Sequence, residues 1–137
     1  DKQALVFAMC ERGAEALGKA QVSAMEAAGG GTAGFDAAGQ AYIRFALENP
    51  ALFRMMMTTR PSAEYLDLDI STVNHAMRLL RENVEKMLPE GSSEASRQMA
   101  AIHAWSLVHG MAMLMLDGQI PADEAIIRSI SRNDLVG

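Results

Sequence analysis

Residues 92–118 read SSEASRQMAAIHAWSLVHGMAMLMLDG, and this stretch decides the fold class. It is typical of one long helix, because Ser92-Ser93-Glu94 suits a helix start and Gly118 suits a left-handed helix end. One broad face holds Met99, Ile102, Trp105, His109, Ala112, Met113 and Leu116, and much of the rest holds Ala101, Ala104, Val108, Met111, Leu114 and Met115. We therefore predict that one side of this helix meets the domain core and the other meets a partner molecule or a ligand cavity.

The rest of the chain also repeats its apolar residues every three or four positions, which is the period of a helix. The predicted helices cover about 1–28, 35–49, 50–58, 69–87 and a last segment that starts at Pro121. The glycine-rich stretch 29–34 predicts a flexible loop, because consecutive glycines disfavour regular structure. Asn49 suits a helix N-cap and Pro50 the first helical position. We predict an all-α bundle of about six helices.

Composition supports this class and excludes several others. The chain has 137 residues, which fits one domain, and half are apolar while only 5% are aromatic, so an all-β fold is excluded. The net charge is −5 and the basic residues are scattered, so we do not expect these residues alone to bind nucleic acid.

Its single cysteine, Cys10, excludes an intrachain disulfide and favours a reducing cytoplasm. No run of ~18–20 consecutive apolar residues occurs, so we expect no membrane span. The sequence opens at Asp1 rather than Met, inside a helical pattern, and we expect it to be part of a longer protein.

The sequence offers little support for catalysis or for a metal site. His75, His103 and His109 lack metal-ligand spacing, and the glycine run has no following Lys-Ser or Lys-Thr. Cys10 lies on an apolar stripe, has no histidine nearby in sequence and is expected to be a small core residue. We expect no enzyme, no cofactor and no metal. His109, one turn after Trp105, is either a core histidine bonded to a backbone carbonyl or a polar anchor in an apolar pocket.

Methionine is the remaining compositional feature. The chain has eleven methionines, and their flexible, polarizable side chains either fill gaps in the core or line a pocket that adapts to apolar shapes. Together with Tyr42, Phe45, Trp105 and His109 on facing helices, they favour a pocket with apolar walls and few polar anchors. Such a pocket predicts a hydrophobic or aromatic ligand with one or two polar atoms.

Two strings carry a family resemblance: AYIRFALENPALFRMM at residues 41–56 and WSLVHG at residues 105–110. Both resemble the C-terminal regulatory domain of TetR/AcrR-like bacterial transcription regulators, and the second resembles the Trp-His-Gly signature of the WHG subgroup. The opening DKQAL at residues 1–5 is similar to the helix that links the DNA-binding head to that domain. The resemblance implies that residues 1–137 form an effector-binding and dimerisation domain, and that the helix-turn-helix head, through which DNA is bound, is absent from these residues.

The resemblance also implies two sets of site residues. The effector pocket is expected to involve Tyr42, Phe45, Phe53, Met56, Met77, Trp105, His109 and Met113. The last two long helices are expected to pair with those of a second subunit in a four-helix bundle, through Met111, Leu114, Met115, Ile126, Ile127 and Ile130. The short helix from Pro50 and the linker through Pro61 are expected to move when effector binds. The alternative is a helical dimerisation module without a physiological ligand.

Overall fold

Six helices make up the regular structure of the computed structural model, which describes residues 1–59 and 75–130, with side chains in the second range from residue 80 onward. They are α1 (Lys2–Ala27), α2 (Gly31–Glu48), α3 (Pro50–Thr58), α4 (His75–Met87), α5 (Glu94–Leu116) and α6 (Glu124–Ser129). These ranges contain no strand, and the predicted all-α class is confirmed. The predicted start of the fourth helix near residue 69 lies outside the described residues.

Side-chain caps explain where several helices begin. The carboxylate of Asp1 accepts from the amide of Ala4 at 2.8 Å, and Ser93 Oγ accepts from the amide of Ser96 at 3.1 Å. Asn49 is the N-cap residue of α3 and Pro50 its first residue, as predicted, but the Asn49 side chain makes no cap hydrogen bond to α3. Its amide instead donates to the carbonyl of Phe45 at 3.1 Å, so it satisfies the end of α2.

The turn between α1 and α2 is shorter than the predicted loop at 29–34, because α2 already begins at Gly31. Gly29 and Gly30 adopt left-handed φ values of 84° and 73°, which glycine tolerates best. Gly34 lies inside α2 against α1, where an added Cβ would stand 3.1 Å from the carbonyl oxygen of Met25. The close packing of α1 against α2, and not the flexibility of a loop, therefore explains why residue 34 is a glycine.

Helices α1, α2 and α5 build the centre of the fold. The antiparallel pair α1 and α2 meets where the Gln21 amide donates to the Ala38 carbonyl at 3.3 Å, and α2 approaches α5 where Gly39 faces Val108. Helix α3 covers α1 at Gly13. The buried core comprises Leu17, Tyr42, Ile43, Phe45, Ala46, Phe53, Ala112, Met115, Ile127 and Ile130. The sequence of α3 is apolar nearly all round, which predicts a buried helix, but only Phe53 is buried and the other residues of α3 are partly or fully exposed.

Ion pairs at the surface connect helices that are distant in sequence. Arg54 of α3 binds Asp117 after α5 at 2.7 Å, and Arg81 of α4 binds Glu94 of α5 at 2.8 Å. Arg44 of α2 binds Glu124 of α6, and this hydrogen bond lowers the pKa of the exposed Glu124 carboxyl. Exposed pairs of this kind contribute little stability, so the apolar core dominates the fold.

The sequence predicted no membrane-spanning segment, and the length and hydropathy of helix α5 bear on that prediction. By length and composition alone it could cross a membrane, although the core helix of a soluble protein passes the same test, so this is weak evidence. Only 17% of its most apolar window is buried inside the chain. Much of this apolar helix is therefore left uncovered by the described part of its own domain.

Candidate functional site

Four rings from three helices meet in what we term the Tyr42 cluster, which consists of Tyr42, Phe53, Trp105 and His109. The hydroxyl of Tyr42 lies 2.8 Å from His109 Nδ1 and accepts a hydrogen bond from Trp105 Nε1 at 3.1 Å. The Phe53 ring packs edge-on against Tyr42, with centroids 5.5 Å apart, and lies 5.7 Å from His109. The spacing of Trp105 and His109 by one helical turn places both on the side of α5 that reaches α2 and α3.

The two titratable groups of the Tyr42 cluster are both held uncharged at neutral pH. Burial raises the pKa of Tyr42 to about 12, and the hydrogen bond from Trp105 offsets only part of that increase. Burial also lowers the pKa of His109. Tyr42 and Phe53 are 3% and 0% exposed, whereas Trp105 and His109 are half-buried. The cluster therefore extends from the core to the protein surface.

The other predicted pocket residues occupy different depths around this cluster. Phe45 is buried in the core, while Met56 and Met113 are half-buried and pack against it. The side chain of Met77 lies outside the described residues. His109 bonds a tyrosine hydroxyl rather than a backbone carbonyl, so neither of the two sequence interpretations named its partner.

The predicted dimer residues divide into two groups. Met115, Ile127 and Ile130 are buried in the core of the chain itself and leave little surface for a second subunit, whereas Met111 and Ile126 are half-buried and Leu114 is exposed. The predicted pair of long terminal helices also requires correction, because α6 covers only Glu124–Ser129 in the described residues. Of the predicted dimer residues, Leu114 of α5 keeps the most exposed surface in the single chain.

Two polar features near α1 were not predicted from the sequence. Gln21 is buried, and its Oε1 has no hydrogen-bond partner among the described residues. A half-open cavity of about 390 Å³ lies near the turn after α1 and does not include any residue of the Tyr42 cluster. Its lining is Met25, Gly30, Gly31, Thr32, Phe35, Asn83, Lys86 and Met87. Gln21 follows Leu17 by one turn, and that spacing alone could have indicated its burial.

Cys10 is partly exposed rather than buried in the core, and the linker through Pro61 lies partly outside the described residues. Within residues 1–59 and 80–130, no three His, Cys, Asp or Glu side chains are grouped so that they could hold a metal ion. The Tyr42 cluster is therefore the candidate site among the described residues.

The lowered pKa of His109 predicts a loss of stability in acid. An unfolded imidazole takes up a proton near pH 6.5, while the folded ring resists protonation, so the free energy of unfolding falls as the pH drops below that value. We expect the urea midpoint of the wild type to fall more between pH 7.5 and pH 5.5 than that of His109→Gln. Replacement of the exposed His103 on the same helix, His103→Gln, is the control and should keep the wild-type slope. Identical slopes for all three proteins would contradict the prediction.

Comparison with known families gives one clear result. A family model described as "Tetracyclin repressor-like, C-terminal domain" matches residues 35–132, which is more than two thirds of the chain and includes the whole Tyr42 cluster. Domains of this family belong to soluble regulators rather than enzymes, and they typically dimerise and bind small ligands. No curated protein and no solved structure matches the chain. From its helical fold and this match over residues 35–132, the chain belongs to the tetracycline repressor-like family and contains its C-terminal domain.

Proposed function

We propose that this chain is the effector-binding and dimerisation domain of a cytoplasmic transcription regulator of the WHG subgroup, and that its effector is a small, mostly apolar molecule. The observation that carries the proposal is the Tyr42 cluster, which places a few polar atoms among aromatic rings at the edge of the core. Pockets for small molecules have this composition: apolar walls with few, well-placed polar groups. In the full-length protein, DNA binding belongs to an N-terminal helix-turn-helix head.

The half-buried end of the Tyr42 cluster is the proposed entrance of this site. The side chains with exposed surface there are Trp105, His109 and Met113 of α5 and Met56 of α3. Beneath them lies a packed floor of Tyr42, Phe45 and Phe53. An effector that binds here contacts α3 and α5 together. It changes the state of the regulator only if it binds one arrangement of these helices better than another. The short helix α3 is the proposed moving part.

Dimerisation is proposed to use the outward stripe of α5, which we define as Met99, Ile102, Ser106, Gly110 and Leu114. Met99, Ile102 and Leu114 are 48%, 46% and 46% exposed, which is unusual for large apolar side chains on one face of a helix. An added Cβ at Gly110 would meet no atom within 4 Å, so a second helix has room to approach there. A second copy of the chain can cover this stripe by two-fold symmetry, since the same patch then serves both subunits.

Native mass spectrometry of the purified chain tests both parts of the proposal. We expect a dimer of about 30 kDa, twice the 14.8 kDa chain, that carries a retained small molecule or gains one from an apolar compound library. Trp105→Ala should remain a folded dimer by circular dichroism and lose the added mass, because the substitution removes a wall of the site. Met9→Ala, on an exposed position of α1, is the matched control and should retain it.

The alternative function, a dimerisation module without a ligand, predicts a different result. In that case the dimer forms, no compound raises its melting temperature, and Trp105→Ala changes stability alone. A monomer at micromolar concentration would contradict the use of the α5 stripe as a dimer face.

A further inference from the structure

The hydroxyl of Tyr42 determines which nitrogen of His109 carries the proton. Trp105 Nε1 can only donate, so the Tyr42 oxygen accepts that bond at 3.1 Å. The hydroxyl proton of Tyr42 then has His109 Nδ1, at 2.8 Å, as its hydrogen-bond acceptor. If Nδ1 carried the proton instead, the Tyr42 hydroxyl would be left with an unpaired proton in a buried position, which is unfavourable.

Burial keeps both groups in the protonation states that this arrangement needs. The pKa of Tyr42 is raised to about 12, so the hydroxyl keeps its proton, and the lowered pKa of His109 keeps the ring neutral at neutral pH. A neutral imidazole has one proton on its two nitrogens. With Nδ1 as the acceptor, that proton is on Nε2.

The Nε2–H group of His109 is an unused donor. It has no hydrogen-bond partner among the described residues, and it does not belong to the fully buried polar atoms that lack one. The rings of Phe53 and Trp105 lie beside the His109 ring, with centroids 5.7 Å and 6.1 Å from it. The result is a single oriented N–H donor in an aromatic wall, and the Tyr42 cluster itself contains no cationic side chain.

We infer that the effector is an uncharged apolar or aromatic molecule that carries a hydrogen-bond acceptor, such as a carbonyl oxygen or a ring nitrogen, and that this atom accepts from His109 Nε2. This inference rests on the proposed effector site at the Tyr42 cluster. Tyr42 and Trp105 act as positioning residues, because the hydrogen bonds from Trp105 to Tyr42 and from Tyr42 to His109 Nδ1 keep the proton of His109 on Nε2. A carboxylate is disfavoured, since the cluster supplies one neutral donor and no counter-charge to an anion.

Nuclear magnetic resonance of the ¹⁵N-labelled chain tests the tautomer without any ligand. Two-bond ¹H–¹⁵N spectra at pH 7.5 should show His109 with its proton on Nε2, and Tyr42→Phe should convert it to a mixture of tautomers. The exposed His103 serves as an internal reference in the same spectra. A proton on Nδ1 in the wild type, or an unchanged His109 spectrum in a folded Tyr42→Phe variant, would overturn the inference.

Three probes of similar size test the ligand chemistry: acetophenone, ethylbenzene and benzoate. Acetophenone should bind roughly two- to tenfold more tightly than ethylbenzene, the effect of one neutral hydrogen bond, and should shift the Nε2 resonance of His109. His109→Phe should abolish this preference while ethylbenzene still binds, and His103→Gln should keep it. Benzoate should bind more weakly than acetophenone.

The outcomes separate this inference from the function on which it rests. Equal binding of acetophenone and ethylbenzene, or tighter binding of benzoate, overturns the inferred ligand chemistry and leaves a pocket for apolar effectors in place. If none of the three probes binds the folded chain at millimolar concentration, both the inferred chemistry and the effector site at the Tyr42 cluster are contradicted.

Discussion

Phe53→Ala is expected to lower the free energy of unfolding by about 3–5 kcal/mol, the usual effect of truncating a fully buried phenylalanine. The ring is completely buried and lies against Tyr42 and His109, so its removal leaves a cavity within the Tyr42 cluster and removes an edge-to-face contact with Tyr42. For a chain of this length the melting temperature should fall by roughly 10–20 °C. Thermal and urea denaturation followed by circular dichroism measure both quantities.

The control for this prediction is Leu5→Ala, because Leu5 is 62% exposed on the first turns of α1. That substitution also shortens an apolar side chain in a helix, and it should change stability by no more than about 0.5 kcal/mol. A similar loss in both variants would contradict the prediction that the burial of Phe53 accounts for its effect on stability. A folded Phe53→Ala protein that keeps acetophenone binding would contradict the role of Phe53 as the floor of the site.

Ile102→Arg is expected to convert the proposed dimer to a monomer at micromolar concentration. Ile102 is half-exposed in the single chain, so arginine is tolerated there in the monomer, but a second copy packed on the outward stripe would bury the guanidinium without a partner. An unpaired charge in an interface weakens association by about 2–5 kcal/mol, which corresponds to roughly 30- to several-thousand-fold in the dissociation constant. Analytical ultracentrifugation across a concentration series gives this constant.

Leu5→Arg is the matched control, since it places the same charge on an exposed apolar position of a different helix. It should leave the dimer intact. If Ile102→Arg remains dimeric and Leu5→Arg does not, the dimer face lies on the first turns of α1 and the assignment to α5 is wrong. The thermal stability of the isolated Ile102→Arg monomer should stay close to that of a wild-type sample diluted below its dissociation constant.

Local pattern was sufficient for most helices because the helical period comes from hydrogen bonds between residues four apart. Apolar spacing predicted α1, the Asn49-Pro50 start predicted α3, and the Ser93 cap with the Gly118 end predicted α5, each to within a few residues. The failure at the start of α2 has a long-range cause. Gly34 is a glycine because α1 passes close to it, and nothing in the local sequence distinguishes that reason from a loop.

Only part of the candidate site could be predicted from the sequence. Trp105 and His109 are one turn apart, so their shared face could be predicted, and the apolar setting indicated a polar anchor. The partner that defines the chemistry of His109 is Tyr42, which lies 67 positions earlier in the chain. A hydroxyl and an imidazole meet at 2.8 Å only after α2 and α5 have packed, so the tautomer of His109 follows from the fold and not from the motif.

By itself the sequence determined the helical class, the two-sided character of α5 and the apolar nature of the region around Trp105, because each follows from residue type and local spacing. Only the tertiary structure decided which apolar side chains are covered. Met115, Ile127 and Ile130 pack inward while Met99, Ile102 and Leu114 remain exposed. The physical reason is that hydrophobic burial is non-directional: an apolar residue needs to leave water, and the packing of distant helices decides which neighbour covers it.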